Sequence, residues 1–181
     1  ILCLNDFTAQ ALSQIPYFQN NNDKHIQTWG NEPTSSIHKI FNGVENHSSP
    51  LFVLGPGTGL GSSTLVPINS TFKALEAEGG HIHFPPTNKI EIELLVWLQT
   101  QYGPVSAERI ISGPGLENIY RFLISRTKDS MLKKQEPEVS VLSAENIGTL
   151  ALGGNTIALS AVNIMFGALG TVAANGVLTT G

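Results

Sequence analysis

Charge is scarce in this chain. Asp, Glu, Lys and Arg make up 13% of its 181 residues, and none falls between positions 146 and 181. With 41% hydrophobic residues beside so little charge, a disordered chain is excluded. Basic residues do not cluster beyond Lys133-Lys134 and the net charge is −4, so there is no footprint for nucleic acid. The single cysteine, Cys3, excludes an intrachain disulfide framework and fits a reducing, cytoplasmic setting. The opening "ILCLND" has neither a starting methionine nor a signal-peptide layout, and the chain is expected to be a piece of something larger. The charge-free stretch raises a membrane span. Asn155, Asn163 and Asn175 interrupt it, however, and no aromatic or basic flank marks an interface. The expectation is a small-residue helix followed by a strand, "GVLTTG", both buried in a soluble protein with no membrane contact.

The remaining residues fall into alternating elements. Residues 1–4 read as a buried strand and "NDFTAQALSQI" as a helical start. Residues 20–49 are polar and loop-like, with a short strand over Ile37–Phe41. "LFVL" and "STLVPI" are β-rich arms, and Phe72–Leu75 suggests a third strand. "TNKIEIELLVWLQTQYG" carries the best helical pattern. Thr87 or Asn88 can cap it, Ile90, Leu94, Trp97, Leu98 and Tyr102 repeat at helical spacing, and Gly103 stops it. Ser106 to Ile111 suits a short helical turn, and Pro114 suits the first turn of another helix. "VSVLSAENIGTLALGGNTIALSAVNIMF" reads as one or two packed helices. The alternation predicts an α/β layered domain.

Between the two β arms lies "GPGTGLG", with glycine at positions 55, 57, 59 and 61. No lysine follows Gly61, so the P-loop pattern fails, and Leu60 stands where a dinucleotide fingerprint needs glycine. Residues two apart in an extended chain share a side. Four alternating glycines therefore strip one side of a strand–turn–strand of Cβ atoms. Amide N–H groups could then reach an anion, with the Thr58 hydroxyl at the tip. A tight hairpin needing positive φ is the plainer explanation, but four glycines favour a phosphate-facing turn.

Polar residues recur near such turns. "LND" puts Asn5 and Asp6 after the first strand, where sites in α/β folds gather, although Asp6 alone could be a helix cap. "EGGHIHF" brings Glu78 and His81 around two glycines, and "SAER" brings Glu108 before the "SGPG" turn. His81 and His83 with Glu78 could form a metal cluster, but no third histidine or cysteine lies at a fitting interval.

"NDFTA", "GPGTGLG", "EGGH" followed by Phe84-Pro85, and "VSAERIISGPGLENIYR" stand in the order and spacing of bacterial-type glucokinases, most closely over residues 1–16 and 51–123. The chain thus resembles members of the ATPase superfamily that includes hexokinase and actin. The resemblance implies a ribonuclease H-like α/β domain with a mixed sheet and flanking helices. Residues 1–16 would end a small domain and form the hinge, and 17–181 would be the larger domain, incomplete at its C-terminus. It implies ATP, with Mg²⁺, as phosphoryl donor to the glucose 6-hydroxyl, with Asp6 as general base. Asn5, Glu78, His81 and Glu108 would bind the sugar. Gly57, Thr58, Gly59, Ser112 and Gly113 would lie at the nucleotide. It also leaves room for a homodimer. Two departures stand out: no Asp-Gly-Gly-Thr phosphate turn is present, and "NGVLTTG" is an altered form of the family's glycine-containing C-terminal strand and turn. Rival readings are a non-catalytic sugar-binding or regulatory protein on this fold, and a metal-dependent hydrolase using His81 and His83.

Overall fold

The computed structural model describes residues 6–13, 46, 48–69, 71–129 and 142–180. The expected strands at 1–4 and 37–41 lie outside these residues. The β-rich arms pair as an antiparallel meander of β1 (Leu51–Pro56), β2 (Leu60–Ile68) and β3 (Thr71–Ala77), in that spatial order. Asn69, at φ 56°, takes the left-handed position in the β2–β3 turn, which its short polar side chain tolerates. The register sets Gly55 opposite Gly61 and Phe52 opposite Thr64. Side chains alternate across a strand, so Gly55, Gly61, Ser63 and Leu65 share one face. Phe52, Leu54 and Leu60 share the other.

Each face is covered differently. Helix α1 (Asp6–Leu12) lies over β2 and β3, with Phe7 against Gly55 and Gly61. Ala11 and Leu65, both fully buried, close that layer. On the opposite face, Leu54 and Leu60 join the main core formed by α2 (Lys89–Tyr102), α3 (Gly113–Asp129), α4 (Ala144–Leu152) and α5 (Thr156–Thr180). Gly176 of α5 sits directly on the Phe52 ring. The result is the layered α/β arrangement expected from the alternation. The three described strands are antiparallel throughout, and the parallel pairing that a mixed sheet requires is not among them.

Helix α2 forms for the local reasons its sequence gives. The Asn88 side chain accepts a hydrogen bond from the Glu91 amide at 3.0 Å, and Gly103, at φ 69°, ends the helix in a conformation side chains avoid. Leu94 and Leu98 carry its buried stripe, and Trp97 meets Phe122 of α3 with ring centroids 5.9 Å apart. The Glu91 carboxylate is buried, and its Oε2 accepts from the amide and hydroxyl of Thr87 at 2.7 and 3.0 Å. The apolar run after residue 142 folds as two helices, broken at Gly153-Gly154, where Gly154 has φ 85°.

The end of that run differs from expectation. Val177–Thr180, read as a strand, form the last turn of α5. The Thr179 and Thr180 hydroxyls bond back to the carbonyls of Asn175 and Gly176, which satisfies them in a helix. Nor is α5 buried on all sides. Ala158, Ala161, Ala168 and Val172 pack inward, while Leu159, Phe166, Val177 and Leu178 are exposed. By length and composition alone it could cross a membrane, and 22% of its most apolar window is buried in the protein.

Candidate active site

The segments that carry Gly57–Gly59, Glu78, His81, Glu108, Ser112 and Gly113 lie around the β1–β2 hairpin. The tip closes with the Gly57 amide donating to the Gly59 carbonyl at 2.8 Å. The four glycines there turn out to serve different neighbours. Gly55 and Gly61 make room for the ring of Phe7, so a Cβ on either would enter that ring. At Gly59 a Cβ would lie 2.6 Å from Oε2 of Glu108, whereas at Gly57 it would meet open space. The reading of one side stripped throughout for an anion is therefore corrected. Two glycines admit an aromatic ring and one a carboxylate, because those groups are drawn from distant parts of the chain to the hairpin.

Leu60 is the meeting point of two predicted site segments. Its amide donates to Glu108 Oε2 at 3.0 Å, and the backbone of Gly80 lies so close to its carbonyl that no side chain fits there. Gly79 is packed equally tightly against Ser62. The two glycines of "EGGH" thus press a short 3-10 turn, Gly79–His81, onto β2, and this turn carries Glu78 and His81 at its ends. Both side chains remain open, 80% and 61% exposed, with Glu78 Oε2 3.9 Å from His81 Nε2. The next residues are stitched to the Glu108 segment. The Phe84 amide donates to the Val105 carbonyl at 3.0 Å, and the Ala107 amide to the Ile82 carbonyl at 2.8 Å. Glu78, His81 and Glu108 therefore sit on two joined turns beside one strand end.

Glu108 rides on a second 3-10 turn, Ala107–Arg109, held from behind by a network that sequence reasoning did not find. The buried Asn118 amide donates to the Arg109 carbonyl at 3.0 Å, and its Oδ1 accepts from the Tyr102 hydroxyl at 3.1 Å and from Arg121. The Arg109 guanidinium stacks 4.5 Å above the Tyr102 ring. The sequence did hold a signal for this network: Asn118 is a polar residue on the otherwise apolar inner side of α3.

Ser112 and Gly113 open α3 beside the hairpin, yet their polar groups are engaged inside the protein. The Ser112 hydroxyl donates to the Glu108 carbonyl at 2.7 Å and accepts from the Gly115 amide at 3.0 Å. The Gly113 amide donates to the Gly57 carbonyl at 2.8 Å, Pro114 has no N–H, and the Leu116 amide bonds to the Ser112 carbonyl. This helix start therefore fixes the hairpin tip and offers an anion its dipole rather than free amides. Among the described residues, the amides of Thr58 and Gly59 have no hydrogen-bond partner, and Gly57 and Thr58 are exposed. Asn5 lies outside the described residues, and Asp6 enters as the first residue of α1. No three His, Cys, Asp or Glu side chains among the described residues are grouped so as to hold a metal ion.

The sequence motifs thus lie on an α/β layered fold, with carboxylates and an open glycine turn at one strand end. The family model for glucokinase matches residues 1–181, and the chain belongs to the glucokinase family. It is 34% identical over 181 residues to a glucokinase of Neisseria meningitidis serogroup B, and 36% identical over 182 residues to one of Neisseria gonorrhoeae. All of this chain is covered in both matches, and it spans 48% of each of those proteins. It is also 35% identical to 25% of the bifunctional protein glk of Burkholderia thailandensis. Among solved structures, a glucokinase from an Antarctic psychrotroph superposes with a TM-score of 0.64 at 28% identity, covering 77% of this chain and 41% of that one. The glucokinase of Balamuthia mandrillaris in complex with glucose shares the fold, with a TM-score of 0.58 at 23% identity over 73% of this chain and 37% of that one.

Proposed function

We propose that the protein carrying this chain phosphorylates glucose with ATP, giving glucose 6-phosphate. The observation that carries the reading is the convergence on one hairpin tip: Phe7, next to Asp6, on Gly55 and Gly61; Glu108 on Leu60; and the Glu78–His81 turn pressed against the same residue. Asp6 takes the proton of the sugar 6-hydroxyl as that oxygen attacks the γ-phosphate, and ADP leaves. Asn5, Glu78, His81 and Glu108 hold the other hydroxyls. Glu108 has Oε2 committed to Leu60 and offers Oε1 to the sugar. A site built from such acceptors rejects sugars that lack the matching hydroxyl.

The free amides of Thr58 and Gly59 face the phosphates, and the start of α3, with Ser112 and Gly113, braces that turn and adds its dipole. Mg²⁺ arrives on the nucleotide as part of the substrate and offsets charge on the transferring group. Residues 1–16 serve as the hinge to the smaller domain, and closure about it brings the reactants into line. The protein works in the cytoplasm, with α5 packed against protein rather than lipid, as its inward Ala and Val residues favour.

The test is Asp6→Asn in the complete gene product, followed by a coupled assay for glucose 6-phosphate. Loss of a general base lowers kcat by about 100- to 10,000-fold, while glucose still quenches or enhances tryptophan fluorescence. A variant turning over at the wild-type rate would refute the assignment.

A further inference from the structure

We propose that Phe7 is a positioning residue that locks the catalytic Asp6 to the glycine hairpin, so that the distance between base and phosphate turn is set by one aromatic ring. The proposal rests on the reading of Asp6 as the base.

Three observations lead to it. Gly55 and Gly61 are direct cross-strand partners, and the same ring fills the space above both. This pairing explains why glycine recurs at two positions 48 residues or more from Phe7 in sequence, where no turn demands it. Second, the ring belongs to the residue after Asp6, at the start of α1, while Thr8 and Ala11 of the same helix are 4% and 0% exposed. One step along a helix is about 1.5 Å of rise and a fixed rotation, so seating the ring fixes the backbone from which residue 6 departs. Third, the hairpin beneath the ring is itself anchored, by Gly113 to Gly57 and by Glu108 to Leu60. The mechanical chain therefore runs from Asp6 through Phe7 and the glycine pair to the open tip at Gly57–Gly59. A larger residue at 55 or 61, or a smaller one at 7, would break it without touching substrate.

The experiment is a double-mutant cycle in the complete gene product, with Asp6→Asn assayed alongside. Phe7→Leu loosens the seat, and Gly61→Ala pushes the ring out. Each lowers kcat by about 10- to 100-fold, the scale expected of an ångström-sized misplacement, with the glucose KM changed less than about twofold. Combining them restores fit, since leucine leaves room for the added methyl. The double variant is then no slower than Phe7→Leu alone, and the two losses do not multiply. If Gly61→Ala fails to fold, Phe7→Leu decides alone, because removing ring atoms introduces no clash. Wild-type kcat in Phe7→Leu, or losses that multiply in the double variant, would overturn the positioning role while an inactive Asp6→Asn leaves the catalytic reading standing. A fully active Asp6→Asn would remove both.

Discussion

The proposed function gives Glu108 two duties that one pair of substitutions separates. Its Oε2 accepts the amide of Leu60, a residue only 5% exposed, across 48 positions of sequence. Removing the side chain takes away the acceptor that this amide uses. Hydrogen bonds to a charged group contribute about 1.5–3 kcal/mol, so Glu108→Ala should lower unfolding free energy by about that amount. Glu108→Gln keeps an oxygen that can accept from Leu60 and removes only the charge. Its stability should fall by less than about 1 kcal/mol, the difference between charged and neutral acceptors. The sugar duty responds differently. With Oε1 offered to a hydroxyl, either change removes a charge-assisted bond, and glucose kcat/KM should drop at least about tenfold in both variants, at about 1.4 kcal/mol per decade. Urea titration gives the first quantity and a coupled assay across glucose concentrations the second. A glutamine variant with wild-type kcat/KM would show Glu108 to be a strut of the hairpin and nothing more.

Two further outcomes probe the supports of the site. Gly80→Ala forces a methyl against the Leu60 carbonyl; it should cost about 1–3 kcal/mol as an overpacked contact and raise the glucose KM by displacing His81, which thermal melts and steady-state kinetics read together. Asn88→Ala removes the cap of α2 and should lower stability by about 1 kcal/mol with kcat unchanged, since the bond it removes lies within the start of its own helix; a larger effect on kcat than on stability would contradict that separation.

The sequence by itself determined the local elements, because their causes are local. Helix α2 is written in the Asn88 cap, the spacing of Leu94 and Leu98, and the stop at Gly103. The hairpin is written in β-rich arms around glycine. The site segments were also legible as short motifs, and the turns that carry Glu78, His81 and Glu108 lie beside one strand. The sequence could not say what each glycine is for. The void left by a missing Cβ is filled by whatever the fold brings there: Phe7 from far upstream at 55 and 61, Glu108 from far downstream at 59. The same holds for Ser112 and Gly113, whose donors look available in isolation and are consumed by Glu108 and Gly57 once α3 docks. The end of α5 makes the point in reverse. Val177, Thr179 and Thr180 are β-formers by propensity, but propensity is a weak term. Helical continuation with hydroxyls bonded to their own backbone, and Gly176 packed on Phe52, decides the conformation. Only the tertiary structure fixes such choices, since the free energy that settles them comes from contacts between residues that no sequence period connects.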